Sequence, residues 1–142
     1  MFRFQLVSIT GKKFDDDVYE VILPTLDGDI GVLQDHMPLV SVATTGAIAI
    51  RRDQKDSDAK REYFAASGGV IDVDNNVLRV LVDEADHADE INDAEAQKAL
   101  DRAQKMKAEA KDQISLEHAQ SMIDRHAVRL QVAGLKHRHR RQ

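Results

Sequence analysis

"VLRVLVDEADHADEINDAEAQKALDRAQ", residues 77–104, changes its period partway along. Its first six residues form a Val/Leu-rich run of strand length, one of several such runs in this half of the chain. Beyond Ile91 the apolar positions recur at helical spacing: Ala96, Ala99, Leu100, Ala103, Met106 and Ala110 share one face. Asn92, followed three residues on by Glu95, supplies a capping-box-like helix start. The charge balance turns over at the same place. Residues 1–89 hold 9 Lys/Arg against 17 Asp/Glu, and residues 90–142 hold 11 against 8. The formal net charge of −5 therefore combines an acidic front with a basic tail, closed by the run KHRHRR (residues 136–141). Two domains follow: 1–88, built of strands, and 89–142, a helical hairpin with a basic C-terminal tail.

Working upstream, Phe2, Phe4 and Leu6 alternate with Arg3 and Gln5, the mark of a half-buried strand. Further runs are Val18–Pro24, Leu39–Thr45, Ala47–Arg52, Glu62–Ser67 and Val70–Val73. Turn residues separate most of them, at Gly11-Lys12, Asp27-Gly28, Gly46, Gly68-Gly69 and Asp74-Asn75-Asn76. The last predicts a two-residue hairpin, because asparagine tolerates positive φ. Asp15–Glu20 reads as a solvated turn, residues 26–41 as a loop and Asp53–Lys60 as a polar loop. Many short strands without intervening helices predict an antiparallel β-sandwich or barrel.

Downstream, a break near Asp112-Gln113, or as late as Ser115, leads into a second helix. Its seam is Leu116, Ala119, Ile123, Ala127 and Leu130, with Gly134 as a stop signal. Two helices of about 20 residues span roughly 30 Å each and close into an antiparallel hairpin. Alanine lines both seams and buries little area, at about 25 cal/mol per Å². Such a hairpin is held to a sandwich by a few kcal/mol; periodicity leaves open whether it stays folded or swings out.

Composition closes several routes to chemistry. Without cysteine there is no disulfide, thiolate zinc site or thiol nucleophile. No 18-residue apolar run could span a bilayer, and the aspartates after "MFRFQLVSITGKKF" argue against a targeting leader. Asp27, Asp29, Asp35 and His36 are dense in carboxylate and imidazole but lack a second ligand at compact spacing. Asp72, Asp74 and Asn76 imitate a calcium loop, yet Val77 stands where glycine is needed and Asp83 where glutamate is needed. His118 and His126 lie too far apart along one helix to share a metal. No Walker loop, dinucleotide fingerprint or nucleophile elbow occurs. The expectation is a protein with no catalytic residues, metal or cofactor. Arg125 and Arg129, with the basic tail, could meet phosphates or an acidic protein surface, and the scarcity of aromatics disfavours nucleic acid.

Three pieces in order resemble the epsilon subunit of bacterial F-type ATP synthases over nearly the whole chain. They are "GDIGVLQDHMPLVS" (28–41), "YFAASGGVIDVDNNVLRVLVDEA" (63–85) and a two-helix end finishing near "RLQVAGLKHR" (129–138). The resemblance implies a non-catalytic rotor subunit that couples proton transport through the c ring to ATP synthesis. It also implies that the helical hairpin inhibits ATP hydrolysis. Gly28, Asp29, Ile30 and Gly31 would face the c ring, and His36, Met37, Pro38 and Leu39 the gamma subunit. By charge, Arg125 and Arg129 would suit an acidic beta-subunit surface in the alpha/beta head. Membrane association would be indirect, at the cytoplasmic face of the bacterial membrane. Some relatives bind ATP through Ile/Leu-Asp-x-x-Arg-Ala. Here Asn92 and Glu95 replace its acid and its arginine, so ATP sensing by that route is not expected. The competing reading from the residues is a sandwich adaptor that uses its hairpin on an unrelated partner.

Overall fold

The structure is a computed structural model describing the backbone of residues 1–140 and the side chains of residues 1–136. Arg138, Arg140 and Arg141 of the basic run thus lie outside the described side chains. Ten strands come first: β1 Phe2–Ser8, β2 Gly11–Val18, β3 Glu20–Thr25, β4 Gly28–Val32 and β5 Leu39–Ala43. They continue with β6 Gly46–Arg51, β7 Glu62–Ala66, β8 Gly69–Asp74, β9 Val77–Val82 and β10 Ala85–His87. Helices α1 (Asp93–Glu109) and α2 (Gln113–Arg140) follow.

The strands pair in the order β10-β7-β6-β3-β5-β8-β9-β1-β2, with β4 hydrogen-bonded to β3 at one margin. All pairs are antiparallel except β1 with β9. A single pair, Thr25 with Ala43, joins β3 to β5, so the sheet folds over at that narrow link. Its far ends then meet. Phe14 of β2 stands edge-on to Phe64 of β7, with ring centroids 6.3 Å apart. Between the layers lies one aliphatic and phenylalanine core, including Phe4, Leu6, Val21, Leu23, Ile50, Ile71, Leu78 and Val80. This is the β-sandwich that many short strands without intervening helices predict, and Phe2, Phe4 and Leu6 of β1 face inward as their alternation requires. The β8–β9 turn is the expected one, with Asn75 and Asn76 at φ 49° and 63°.

Several local expectations fail for reasons the packing makes clear. Asp15, Asp16 and Asp17 belong to strand β2, not to a turn, and the run Val18–Pro24 is cut at Tyr19. Their charges are tolerated because cations meet them: Arg3 and Lys12 each lie 2.8 Å from Asp15, and Arg52 lies 3.0 Å from Asp16. As the end strand of the sheet, β2 buries only Phe14 and Val18. Residues 28–32 form strand β4 rather than part of a long loop. Gly134 does not end α2, since Val132 and Ala133 beside it are buried against the sandwich. Such burial outweighs the roughly 1 kcal/mol that glycine costs a helix. Ala127 is exposed, and His126 is buried next to it.

The helices begin as their caps dictate. Asn92 Oδ1 accepts the Glu95 amide, 3.0 Å, and Asp112 Oδ1 accepts the Ser115 amide, 2.7 Å. α2 lies on the outer face of β6 and β7, where Ala47, Ala49, Tyr63 and Ala65 meet Val128, Val132 and Ala133. Both faces of β7 are therefore covered, which is why Tyr63–Ala66 is apolar without alternation. α1 packs chiefly along α2, burying Ala96, Ala99 and Ala103.

Candidate functional site

Two outer faces of the sandwich have opposite fates. The β6–β7 face carries small residues and is covered by α2. The face of β5, β8 and β9 is bare, although it carries Val40 (74% exposed), Val42, Val70 and Leu81. Val42 pairs with Val70, Val70 with Leu81, and Leu81 with Val7, so an apolar row crosses four strands. The signal was present in β5, whose outward valines are larger than the inward Ser41. A strand apolar on its outer side has a second face to bury.

The segment expected to meet the gamma subunit borders this face. Met37 and Pro38 are exposed, His36 and Leu39 half-buried. The bend is held from within: Asp35 takes φ 61° and donates its amide to Asn76 Oδ1, 2.8 Å. Asn76 Nδ2 donates to the Met1 carbonyl, so one side chain ties the bend, the β8–β9 turn and the chain start together. Local sequence marks Asn76 as a turn residue and as part of a degenerate calcium loop, but not as this tie. His36 Nδ1 lies 2.7 Å from the Met37 carbonyl, which draws the imidazole back onto the loop.

The segment expected to meet the c ring lies at the β3–β4 tip. Leu26 and Asp27 form the two-residue turn, and Gly28 closes it at φ +108°, a conformation suited to glycine. The Thr25 hydroxyl donates to the Gly28 carbonyl, 2.5 Å. Asp29 and Gly31 are exposed on this marginal strand, while Ile30 leans on the core. A Cβ at Gly31 would meet nothing within 4 Å, so the chain's own packing does not require glycine there.

A third site joins the hairpin to the sandwich by charge. Arg125 pairs with Glu84, and Lys136 with Asp89 at 2.8 Å. Arg129, 12% exposed at its side chain, reaches Asp86 of β10 at 3.2 Å and Glu95 of α1 at 2.7 Å. Hydrogen bonding by Arg129 is the main cause holding the Glu95 carboxyl below its usual range. The two arginines expected to face a partner are thus engaged within the chain. Glu84 and Asp86, the partners of these arginines on the sandwich, and Asp89, the partner of Lys136, were invisible to local reasoning because they sit up to 47 residues away in sequence. Asn92 and Glu95 do come together with this seam, one as cap and one as ion-pair partner.

No group of three or more His, Cys, Asp or Glu among the described residues is placed to hold a metal ion. A hollow of about 180 Å³ between β7, β10 and α2 is lined by Arg61, Glu62, His87, Asp89 and Lys136. Its cations are matched by acids: Arg61 with Glu20 and Asp58, and Lys136 with Asp89. Among the described residues no helix is long and apolar enough to cross a membrane.

The sandwich thus presents one bare apolar face and, on another face, a helical hairpin clamped to it by charge. Residues 1–88 match the family described as ATP synthase, Delta/Epsilon chain, beta-sandwich domain. The ATP synthase epsilon chain of Sulfurihydrogenibium sp. (strain YO3AOP1) is 34% identical over 137 residues, spanning 96% of this chain and 99% of that protein. The chloroplastic epsilon chain of Adiantum capillus-veneris is 36% identical over 122 residues, 86% of this chain and 89% of that one. A chain in the Euglena gracilis mitochondrial ATP synthase structure shares the fold, with TM-score 0.75 at 20% identity, over 92% of this chain and 79% of that one. The protein described here belongs to the ATP synthase epsilon-chain family.

Proposed function

We propose that this chain is a non-catalytic rotor subunit at the central stalk of a proton-translocating ATP synthase. Residues 1–88 form its coupling body and residues 89–142 its regulatory hairpin. The observation that carries the coupling role is the bare row Val42, Val70 and Leu81, bordered by Met37 and Val40. A soluble domain that exposes a continuous apolar face has a partner for it. The gamma subunit is that partner, with His36, Met37, Pro38 and Leu39 at the margin. Gly28, Asp29, Ile30 and Gly31 face the polar loops of the c ring. The open space above Gly31 lets another backbone approach β4 closely, which a side chain there would hinder. Attachment to the membrane is then peripheral and through the complex, at the cytoplasmic face in a bacterium.

The hairpin acts as the brake on ATP hydrolysis. In the docked state Arg125 and Arg129 are committed to Glu84, Asp86 and Glu95. They reach the acidic surface of the catalytic beta subunits only once the hairpin leaves the sandwich. Glu95 occupies Arg129 from within the chain, so no nucleotide phosphate is needed to hold the docked form.

Reconstitution tests both roles. The full chain should co-purify with gamma and the c ring, and deleting residues 91–142 should keep that association while raising ATPase activity of the assembled complex. Loss of gamma association in the intact chain would remove the coupling role; unchanged hydrolysis in the truncation would remove the brake.

A further inference from the structure

His126 of α2 is 6% exposed and stands next to Arg129. Arg129 Nη1 lies 3.2 Å from His126 Nδ1. A guanidinium only donates hydrogen bonds, so Nδ1 is the accepting, proton-free nitrogen and the imidazole is neutral. Arg129 is also the group that links α2 at once to β10, through Asp86, and to α1, through Glu95. The charged groups facing the imidazole are Arg125 and Arg129 on its own helix and Glu95 and Arg102 on α1. From the sandwich, Glu84 and Asp86 pair with the same two arginines. Cations therefore crowd His126, and the nearby acids are already in use.

We propose that His126 is a proton-operated catch on the helical hairpin: neutral, it accepts from Arg129 and the hairpin stays docked; protonated, it repels Arg129 and releases it. One proton taken up at Nδ1 removes the acceptor and sets two cations within hydrogen-bond distance. Arg129 must then turn away, and its hold on Asp86 and Glu95 loosens with it. Burial and the neighbouring arginines hold the docked His126 below the ordinary histidine range. A depressed value means that docking is strongest above the free-histidine value and weakens as pH falls through it. Glu95, held low by Arg129, stays ionised across that window. The inference takes the hairpin to be the moving part of the proposed brake, but it concerns docking in the chain alone.

The test uses the full chain, which contains no cysteine. Lys55→Cys on the sandwich and Lys105→Cys on α1, both exposed positions, take spin labels for distance measurement. At pH 8 a single short distance is expected. At pH 5.5 a longer population should appear, its ratio to the docked one rising by up to about tenfold per pH unit, since one proton is taken up. His126→Asn keeps an acceptor near Nδ1 and cannot be protonated, so its short distance should persist at both pH values. A wild-type distribution unchanged between pH 8 and 5.5, or an Asn variant that opens as the wild type does, overturns the proposal. Proton NMR titration of the unsubstituted chain decides independently of any variant: a His126 midpoint below that of an unstructured peptide supports it, and one at or above that value sinks it. Neither readout involves ATP hydrolysis, so the brake can fail while the catch stands, and the reverse.

Discussion

Gly69→Ala should cripple the fold although it adds a single methyl group. An ideal Cβ at residue 69 would lie 1.8 Å from the Leu81 carbonyl oxygen and 2.9 Å from the Val82 Cα. Side chains do not approach backbone closer than about 3 Å, so β8 and β9 must part by roughly 1.2 Å at this end. The pairs affected are Gly69 with Val82 and Val70 with Leu81. Losing their hydrogen bonds costs about 1 kcal/mol each. Disturbing Val80 and Val82, both buried, adds roughly 1–3 kcal/mol of strain and lost packing. The sum, about 3–5 kcal/mol, is a large part of the 5–15 kcal/mol typical of a domain. Chemical denaturation of the full chain followed by circular dichroism measures it. A variant within about 0.5 kcal/mol of the parent would refute the steric account of the Ser-Gly-Gly turn.

Gly31→Ala is the opposite case: with nothing near its Cβ, stability should stay within about 0.5 kcal/mol, while association with the c ring weakens in a pull-down. Asp15→Asn should destabilise at pH 7 and cease to matter near pH 2. Hydrogen bonds from Lys12 and Arg3 bring the Asp15 carboxyl down to about 2, so its contribution is present above the ordinary value near 3.8 and fades as pH falls from there to 2. Thermal melts of both proteins at pH 7, 4 and 2 check the convergence. Calorimetric titration with ATP should show no tight binding, because Glu95 already holds Arg129. In Glu95→Gln, α1 should pack less firmly on α2, seen as faster amide exchange in α1.

Much of the fold was legible because periodicity and turn chemistry are local properties. Phe2-Phe4-Leu6 marked a strand by alternation, Asn75-Asn76 a tight turn by tolerance of positive φ, and Asn92 a helix start by its side-chain oxygen. Where a neighbour distant in sequence changed the balance, local reading failed. Three consecutive aspartates form a strand because Arg3, Lys12 and Arg52 neutralise them. Gly134 stays helical because Val132 and Ala133 have a sheet to cover. The candidate site divides in the same way. The segments 28–31 and 36–39 drew notice through composition and family likeness, and both lie exposed or half-exposed on one body. The bare row of β5, β8 and β9 needed the strand register to assemble it.

That a β body precedes a helical pair follows from contiguous residues alone, because hydrophobic period and capping are local. Which sheet face the helices cover, and the pairing of Arg125, Arg129 and Lys136 with Glu84, Asp86, Glu95 and Asp89, are set by the folded arrangement. Coulomb attraction and burial act through space, so residues 34 to 47 positions apart became partners only once the chain had folded.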